Sequence, residues 1–123
     1  MAIWWVGLGG FLGANARYLL GGYISHRWGA TFPLGTFVIN VTGSFILGFF
    51  MAYAQNRAWV EPGARLLFAV GFVGAYTTFS TFEFESMRLL QEREFLFAML
   101  NIVGSVLTGA VAVFGGFIVG EWI

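Results

Sequence analysis

From residue 95 to residue 120 the chain carries no charged side chain and no proline. A soluble helix of that length would need a solvated face, and this stretch has none to offer. A helix needs about 20 residues to cross ~30 Å of hydrocarbon. The run is therefore predicted to be a membrane span, and three more segments of the 123-residue chain have similar character. The expected spans are 2–24, 33–54, 64–90 and 95–120. Polar turns separate them: Ser25 to Gly29, Gln55 to Gly63, and Gln91 to Glu94. Only 10% of the residues are charged, against about 25% in soluble domains. The expectation is an all-α membrane protein of four transmembrane helices in one small bundle. The first apolar segment has no basic leader and no cleavage-site pattern, so it reads as a permanent helix.

The ionisable inventory excludes several chemistries. The chain contains no Cys, Asp or Lys, and His26 is its one histidine. Thiolate chemistry is absent, and a His–carboxylate relay or metal cluster would have to use His26, which sits in a loop-like stretch. An enzyme is not expected. No basic tract suggests nucleic acid. Arg27, Arg88 and Arg93 flank the first and third loops, while Arg57 and Arg65 flank the second. The positive-inside rule thus barely orients the chain. An ordinary protein oriented by its partners fits this, and so does dual topology. In the second case copies insert both ways and pair antiparallel, supplying by dimerisation the inverted repeat of larger transporters.

The third segment holds the most informative stretch, Gly71-Phe72-Val73-Gly74-Ala75-Tyr76-Thr77-Thr78-Phe79-Ser80-Thr81-Phe82. Its small residues and clustered hydroxyls predict a helix broken near 74–78. Ser80-x-x-Glu83 fits a capping box, so a new helix is expected to start near Phe79 or Ser80. Carbonyls near Gly74 to Thr77 should lose their helical partners, which lipid tolerates only where another group satisfies them or they line a cavity. Carbonyls near a two-fold axis would suit a monovalent cation. Amides and hydroxyls at a helix start would suit an anion. A kink that only shapes packing is the plainer alternative.

Polar faces on the other segments point to the same region. Thr36, Asn40, Gly43 and Ser44 share one helical face, as do Asn101, Ser105 and Thr108. Such groups can be mere interhelical glue, but intramembrane polar residues are the first place to seek function. Counting from the nearest loop, Arg17, Asn40, Glu85 and Asn101 all lie roughly 10 Å deep at 1.5 Å per residue. Arg17 either snorkels to the interface or gives a vestibule a positive potential. Phe79 and Phe82 adjoin on one helix face. Ring edges are positive, so rings beside an amide and hydroxyls form a donor-rich setting suited to a small hydrated anion. Gly9-x-x-x-Gly13 and Gly116-x-x-x-Gly120 read as close-packing surfaces.

Three motifs resemble those of one family, the small bacterial fluoride channels called Fluc or CrcB. They are Gly9-Gly10-Phe11-Leu12-Gly13-Ala14-Asn15-Ala16-Arg17-Tyr18, Gly35-Thr36-Phe37-Val38-Ile39-Asn40-Val41-Thr42-Gly43-Ser44-Phe45, and Thr77-Thr78-Phe79-Ser80-Thr81-Phe82. The last is the most specific. Ala75-Tyr76 departs from the pattern, where the family often has a second Gly. The resemblance implies an antiparallel dual-topology homodimer in the bacterial inner membrane with two pores, passively exporting fluoride to relieve its toxicity. It implies a pore lined by Phe79, Phe82, Asn40, Ser80, Thr81 and Glu85, with Ser105 and Thr108 completing it. It also implies Arg17 at a vestibule and a structural Na+ at the dimer centre, held by the carbonyls of Gly74 and Thr77, with no organic cofactor. A proton-coupled antiporter of the small multidrug type is the alternative, with Glu83 or Glu85 as its carboxylate.

Overall fold

A computed structural model describes residues 1–29 and 31–123, and among them there is no strand. Helix α1 runs Ala2–Trp28 and α2 runs Leu34–Gln55. Helix α3 occupies residues 62–76, and a break at Thr77 and Thr78 separates it from α4, Phe79–Gln91. Helix α5 spans Phe95–Trp122. Two π-helical segments interrupt this regularity, Leu66–Val73 in α3 and Leu100–Gly104 in α5.

The bundle therefore has four long helices when α3 and α4 are taken together. Three of them are long and apolar enough to cross a membrane: Leu34–Gln55, Pro62–Gln91 and Phe95–Trp122. Helix α1 has the length, with 27 residues, but Asn15 and Arg17 dilute its apolar character. It extends past the expected end at Ile24 because Ser25 to Trp28 contains no helix breaker. Polarity there marks proximity to water and not the end of the helix. Pro33 precedes α2 as its N-cap residue, and Pro62 occupies the first turn of α3, where its missing N–H is harmless.

Packing is organised by two seams of small residues. On α1, Gly9 and Gly13 lie against the backbone of α3 at Leu67 and Phe72, and Gly71 of α3 lies against Val6 and Gly9. On α5, Gly116 and Gly120 meet the carbonyls of Phe45 and Phe49 on α2, while Gly48 of α2 meets the carbonyl of Val113. A Cβ at any of these six positions would collide with backbone. Lipid tails are as apolar as the side chains they surround, so close backbone approach is a principal source of helix association. The outward surface matches that setting. Trp4, Phe11, Leu107, Val111 and Phe114 are exposed, whereas the buried polar residues include Ser86 and Asn101.

Cationic side chains finish helix ends. Arg65 donates through Nη2 to the carbonyl of Ala54 (2.7 Å), at the C-terminus of α2. Arg57 donates through Nη1 to Tyr53 O (2.8 Å) and lies 4.0 Å over the Tyr53 ring. Both place positive charge against the negative end of the helix dipole.

The α4–α5 turn is closed by a Schellman arrangement. Glu94 N donates to Leu89 O (2.8 Å) and Arg93 N to Leu90 O (3.1 Å). Arg93 occupies the left-handed position, φ 60°, which favours glycine. Replacing it, Arg93→Gly, is expected to stabilise the folded protein by about 0.5–1 kcal/mol. Thermal melting in detergent checks this, and a lower melting temperature would contradict the assigned turn.

Candidate functional site

The site is built on the break. Helix α3 stops at Tyr76, and the next two residues are extended: Thr77 at φ −82°, ψ 155° and Thr78 at φ −146°, ψ 115°. Thr78 is the N-cap of α4, its Oγ1 accepting from Thr81 N (3.3 Å). The sequence pattern had pointed to Ser80 as the capping residue. The cap falls two residues earlier because an N-cap needs an extended backbone, which Thr78 has, while Ser80 already lies within the first turn.

Side chains from two other helices answer the backbone groups freed by the break. Asn40 of α2 makes two bonds to one residue: Thr78 N donates to Asn40 Oδ1 (2.8 Å) and Asn40 Nδ2 donates to Thr78 O (3.1 Å). The primary amide thus pairs with Thr78 as a neighbouring strand would. Arg17 of α1 donates through Nε to Ala75 O (3.0 Å), at the C-terminus of α3. Its charge there opposes the dipole of α3. Thr77 folds back, its Oγ1 donating to Val73 O (2.9 Å). Because Thr78 N is directed at Asn40, the carbonyl of Gly74 loses the partner a continuous helix would give it. Gly74 is exposed, and a Cβ there would meet only Ala69 O, at 3.9 Å.

Tyr76 fixes the lower edge of the break. Its ring is buried and stacks on Phe72, centroids 5.6 Å apart, and its hydroxyl pairs with Thr42 Oγ1 at 2.9 Å. Gly43 of α2 gives it room. A Cβ at that position would meet Thr77 and the Tyr76 ring.

Two clefts adjoin this arrangement, and a third lies further along α4. One of about 230 Å³ is lined by Asn40, Gly43 and Ser44 of α2, by Thr77 and Thr78, and by Phe79 and Phe82 of α4. No charged side chain lines it. The two rings differ in setting: Phe82 is 7% exposed and Phe79 72%, with centroids 6.0 Å apart. On the other side of Thr78 a cleft of about 220 Å³ is lined by Arg17, Tyr18, Thr36 and Thr81. A larger one, about 570 Å³, is lined by Ser25, Thr31, Glu85, Arg88 and Glu92. Glu85 Oε1 is buried and finds no hydrogen-bond partner among the described residues. The 3.5 Å Arg88–Glu92 pair is more than half exposed and contributes little.

The candidate residues therefore fall into groups. Asn40, Phe79 and Phe82 share one cleft, with Thr77; Arg17 and Thr81 share the second; Glu85 belongs to the third. Ser80 and Thr108 are exposed, and Ser105 is half-buried; none of the three lines these clefts. Thr78 is the residue common to the first two clefts, and its position within the hydroxyl run was its only sequence signal. Ser86 is also a residue that sequence reasoning left without a role. It is buried, accepts from Asn101 Nδ2 (2.9 Å), and donates to Phe82 O (2.8 Å).

Fold and site together define a small multi-pass membrane protein whose broken helix, bracketed by side chains of α1 and α2, borders uncharged and polar clefts. The chain belongs to the CrcB family: it matches the family described as "CrcB-like protein, Camphor Resistance (CrcB)" over residues 4–117. It is 46% identical to the "Fluoride-specific ion channel FluC" of Acidobacterium capsulatum, over 95% of this chain and 94% of that protein. It is also 46% identical to proteins of the same name from Koribacter versatilis, over 90% of this chain and 88% of the relative, and Solibacter usitatus, over 90% and 91%.

The break makes a quantitative expectation. Asn40→Leu leaves the N–H and C=O of Thr78 unpaired, at about 1–3 kcal/mol per group. A loss of roughly 2–6 kcal/mol is expected by denaturation in detergent. Ser44→Ala removes only a bond to the carbonyl of Asn40 in the same helix and should change stability by under about 1 kcal/mol. Equal effects of the two would contradict the bracing role of Asn40.

Proposed function

We propose that this chain is a fluoride-specific ion channel that exports fluoride passively across the bacterial inner membrane and so relieves its toxicity. The observation that carries the reading is the uncharged cleft beside the break. Rings, a carboxamide and hydroxyls meet there, in a chain 46% identical to proteins named for fluoride conduction. Thr78 N holds Asn40 Oδ1, and one Nδ2 hydrogen goes to Thr78 O. A carboxamide has two N–H donors and one carbonyl. The remaining Asn40 hydrogen is free for the cleft while the oxygen is engaged, which favours an anion over a cation. Phe82, and Phe79 at its open side, add positive ring edges. Ser80, Thr81, Glu85, Ser105 and Thr108 extend the path in this reading, with Arg17 at a vestibule.

The antiporter reading gains no support from the comparisons. The cleft at the rings holds no carboxylate that could exchange protons with a substrate there.

The assembly in this reading is an antiparallel dual-topology homodimer with two pores, each subunit crossing four times with α1 as the first span. The carbonyls of Gly74 and Thr77 fit a Na+ at its centre. Gly74 O has lost its helical partner, the glycine leaves that surface uncrowded, and a two-fold axis would double the oxygens. Bound there, Na+ would join the two breaks and take no part in conduction.

In liposomes at neutral pH without a proton gradient, the purified protein is expected to release fluoride and retain chloride. Strict dependence on a proton gradient would overturn the channel reading. Phe79→Ile and Phe82→Ile should each lower fluoride efflux about ten-fold or more while assembly persists, since apolar volume is largely kept and the ring edges are lost. Unchanged efflux in both would remove the rings from the pathway. Orientation is tested separately by adding arginines to one loop. Insertion should become biased and dimer yield fall in cells making only that variant, and an unchanged yield would rule out dual topology.

A further inference from the structure

Asn101 sits in the uncharged stretch 95–120 of helix α5, 1% exposed, within the π-helical segment Leu100–Gly104. A π turn widens the helix locally and redirects its side chains. Here the carboxamide reaches across to α4. Its Nδ2 donates to Ser86 Oγ at 2.9 Å, and its Oδ1 accepts from Ser105 Oγ at 3.3 Å. Ser86 Oγ in turn donates to Phe82 O at 2.8 Å.

The direction of this chain of bonds is fixed by one chemical fact. An amide NH2 can only donate. Ser86 Oγ must therefore accept from Asn101, and its single proton is directed to the carbonyl of Phe82. At the other end, the carboxamide oxygen can only accept, so the proton of Ser105 is drawn toward Asn101. One buried residue thereby ties the backbone at a ring of the uncharged cleft to a hydroxyl on a different helix. Ser86 and Phe82 are themselves 6% and 7% exposed, so water does not compete for these bonds.

We infer that Asn101 is a positioning residue of the ion pathway: through Ser86 it sets the backbone of Phe82, and it also sets the orientation of the Ser105 hydroxyl. This rests on the channel reading above. The requirement for such a residue follows from how α4 is held. Its first turn is anchored by the Thr78 cap and by Asn40, both at the break. One turn on, apolar contact in lipid gives little directional restraint against the neighbouring helices. Among the described residues the Asn101–Ser86 bond ties α4 to α5 there, and the Ser86 bond to Phe82 O, within α4, carries that restraint to the Phe82 backbone. Bonds in a low-dielectric interior also polarise one another, so the three act together.

A merely structural role and a positioning role separate in one pair of variants. Removing one member of a buried hydrogen-bonded pair leaves the other unsatisfied and destabilises, whereas replacing both with apolar groups of similar shape can be nearly neutral. Asn101→Leu alone is expected to melt at lower temperature than the wild type. Asn101→Leu with Ser86→Ala should recover most of that loss. Fluoride efflux from liposomes is then measured on the assembled double variant across a range of fluoride concentrations. Positioning predicts that efflux stays about ten-fold below wild type despite the recovered stability, because the pathway groups are no longer held in register. It also predicts that adding Asn101→Leu to Phe82→Ile lowers efflux by less than Asn101→Leu does alone. Wild-type efflux in the double variant overturns the positioning role and leaves a structural one. Full additivity with Phe82→Ile overturns the route through that ring. Absence of fluoride efflux from the wild type itself overturns the channel reading and this inference with it.

Discussion

An unpaired peptide group inside hydrocarbon is among the most expensive features a membrane protein can carry. Two extended residues, Thr77 and Thr78, interrupt a helix in this chain, and much of the surrounding architecture serves to make that interruption tolerable. Asn40 pairs with both polar groups of Thr78, and Arg17 takes the carbonyl of Ala75. Neither could do so without the seams of small residues. Gly9, Gly13 and Arg17 follow at four-residue intervals on one stripe of α1. The same stripe that seats α1 on α3 therefore delivers the guanidinium to the end of α3. On α2 the corresponding stripe runs Asn40, Ser44 and Gly48, so the contact with α5 and the contact with the break are set by one helix rotation.

Several cations finish helix ends, and no charged side chain lines the cleft at the rings. Arg57 and Arg65 finish α2, Arg17 finishes α3, and Arg88 pairs with Glu92 near the end of α4. The cleft holding Phe79, Phe82 and Asn40 has no formal charge on its walls. A fixed positive charge there would hold an anion tightly, and a fixed negative charge would exclude it. Dipoles and ring edges attract without trapping, which suits conduction in which entry and exit must both be easy.

Much of the architecture was legible in the sequence because its signals are periodic or compositional. Long apolar runs poor in charge marked the helices, and small residues followed by hydroxyls marked the break. The partners of the break were not legible in the same way. Asn40 lies 38 residues from Thr78, and Arg17 lies 58 from Ala75. Local pattern states that freed peptide groups need an answer and cannot say which distant side chain gives it. The cap shows a second kind of miss. Ser80-x-x-Glu83 has the right letters for a helix start, yet Thr78 fills the role because the backbone is extended there. The start of α4 at Phe79 agreed with expectation, while the capping side chain did not.

The two intramembrane asparagines, Asn40 and Asn101, show why a carboxamide recurs where a hydroxyl would be cheaper to bury. A serine can satisfy its own helix by bonding back one turn, as Ser44 and Ser86 do. It then has little directional demand left for a neighbour. A carboxamide carries donor and acceptor on opposite sides of a rigid plane and cannot exchange them by rotating a proton. Set against backbone, as at Thr78, it reproduces a peptide-to-peptide pair. Set against hydroxyls, as at Ser86 and Ser105, it fixes which way each proton points. A pathway selecting a small anion depends on which groups face it as donors, and rotatable hydroxyls alone leave that undetermined. Fixing those directions with carboxamides, which carry no formal charge, leaves the wall of the cleft uncharged.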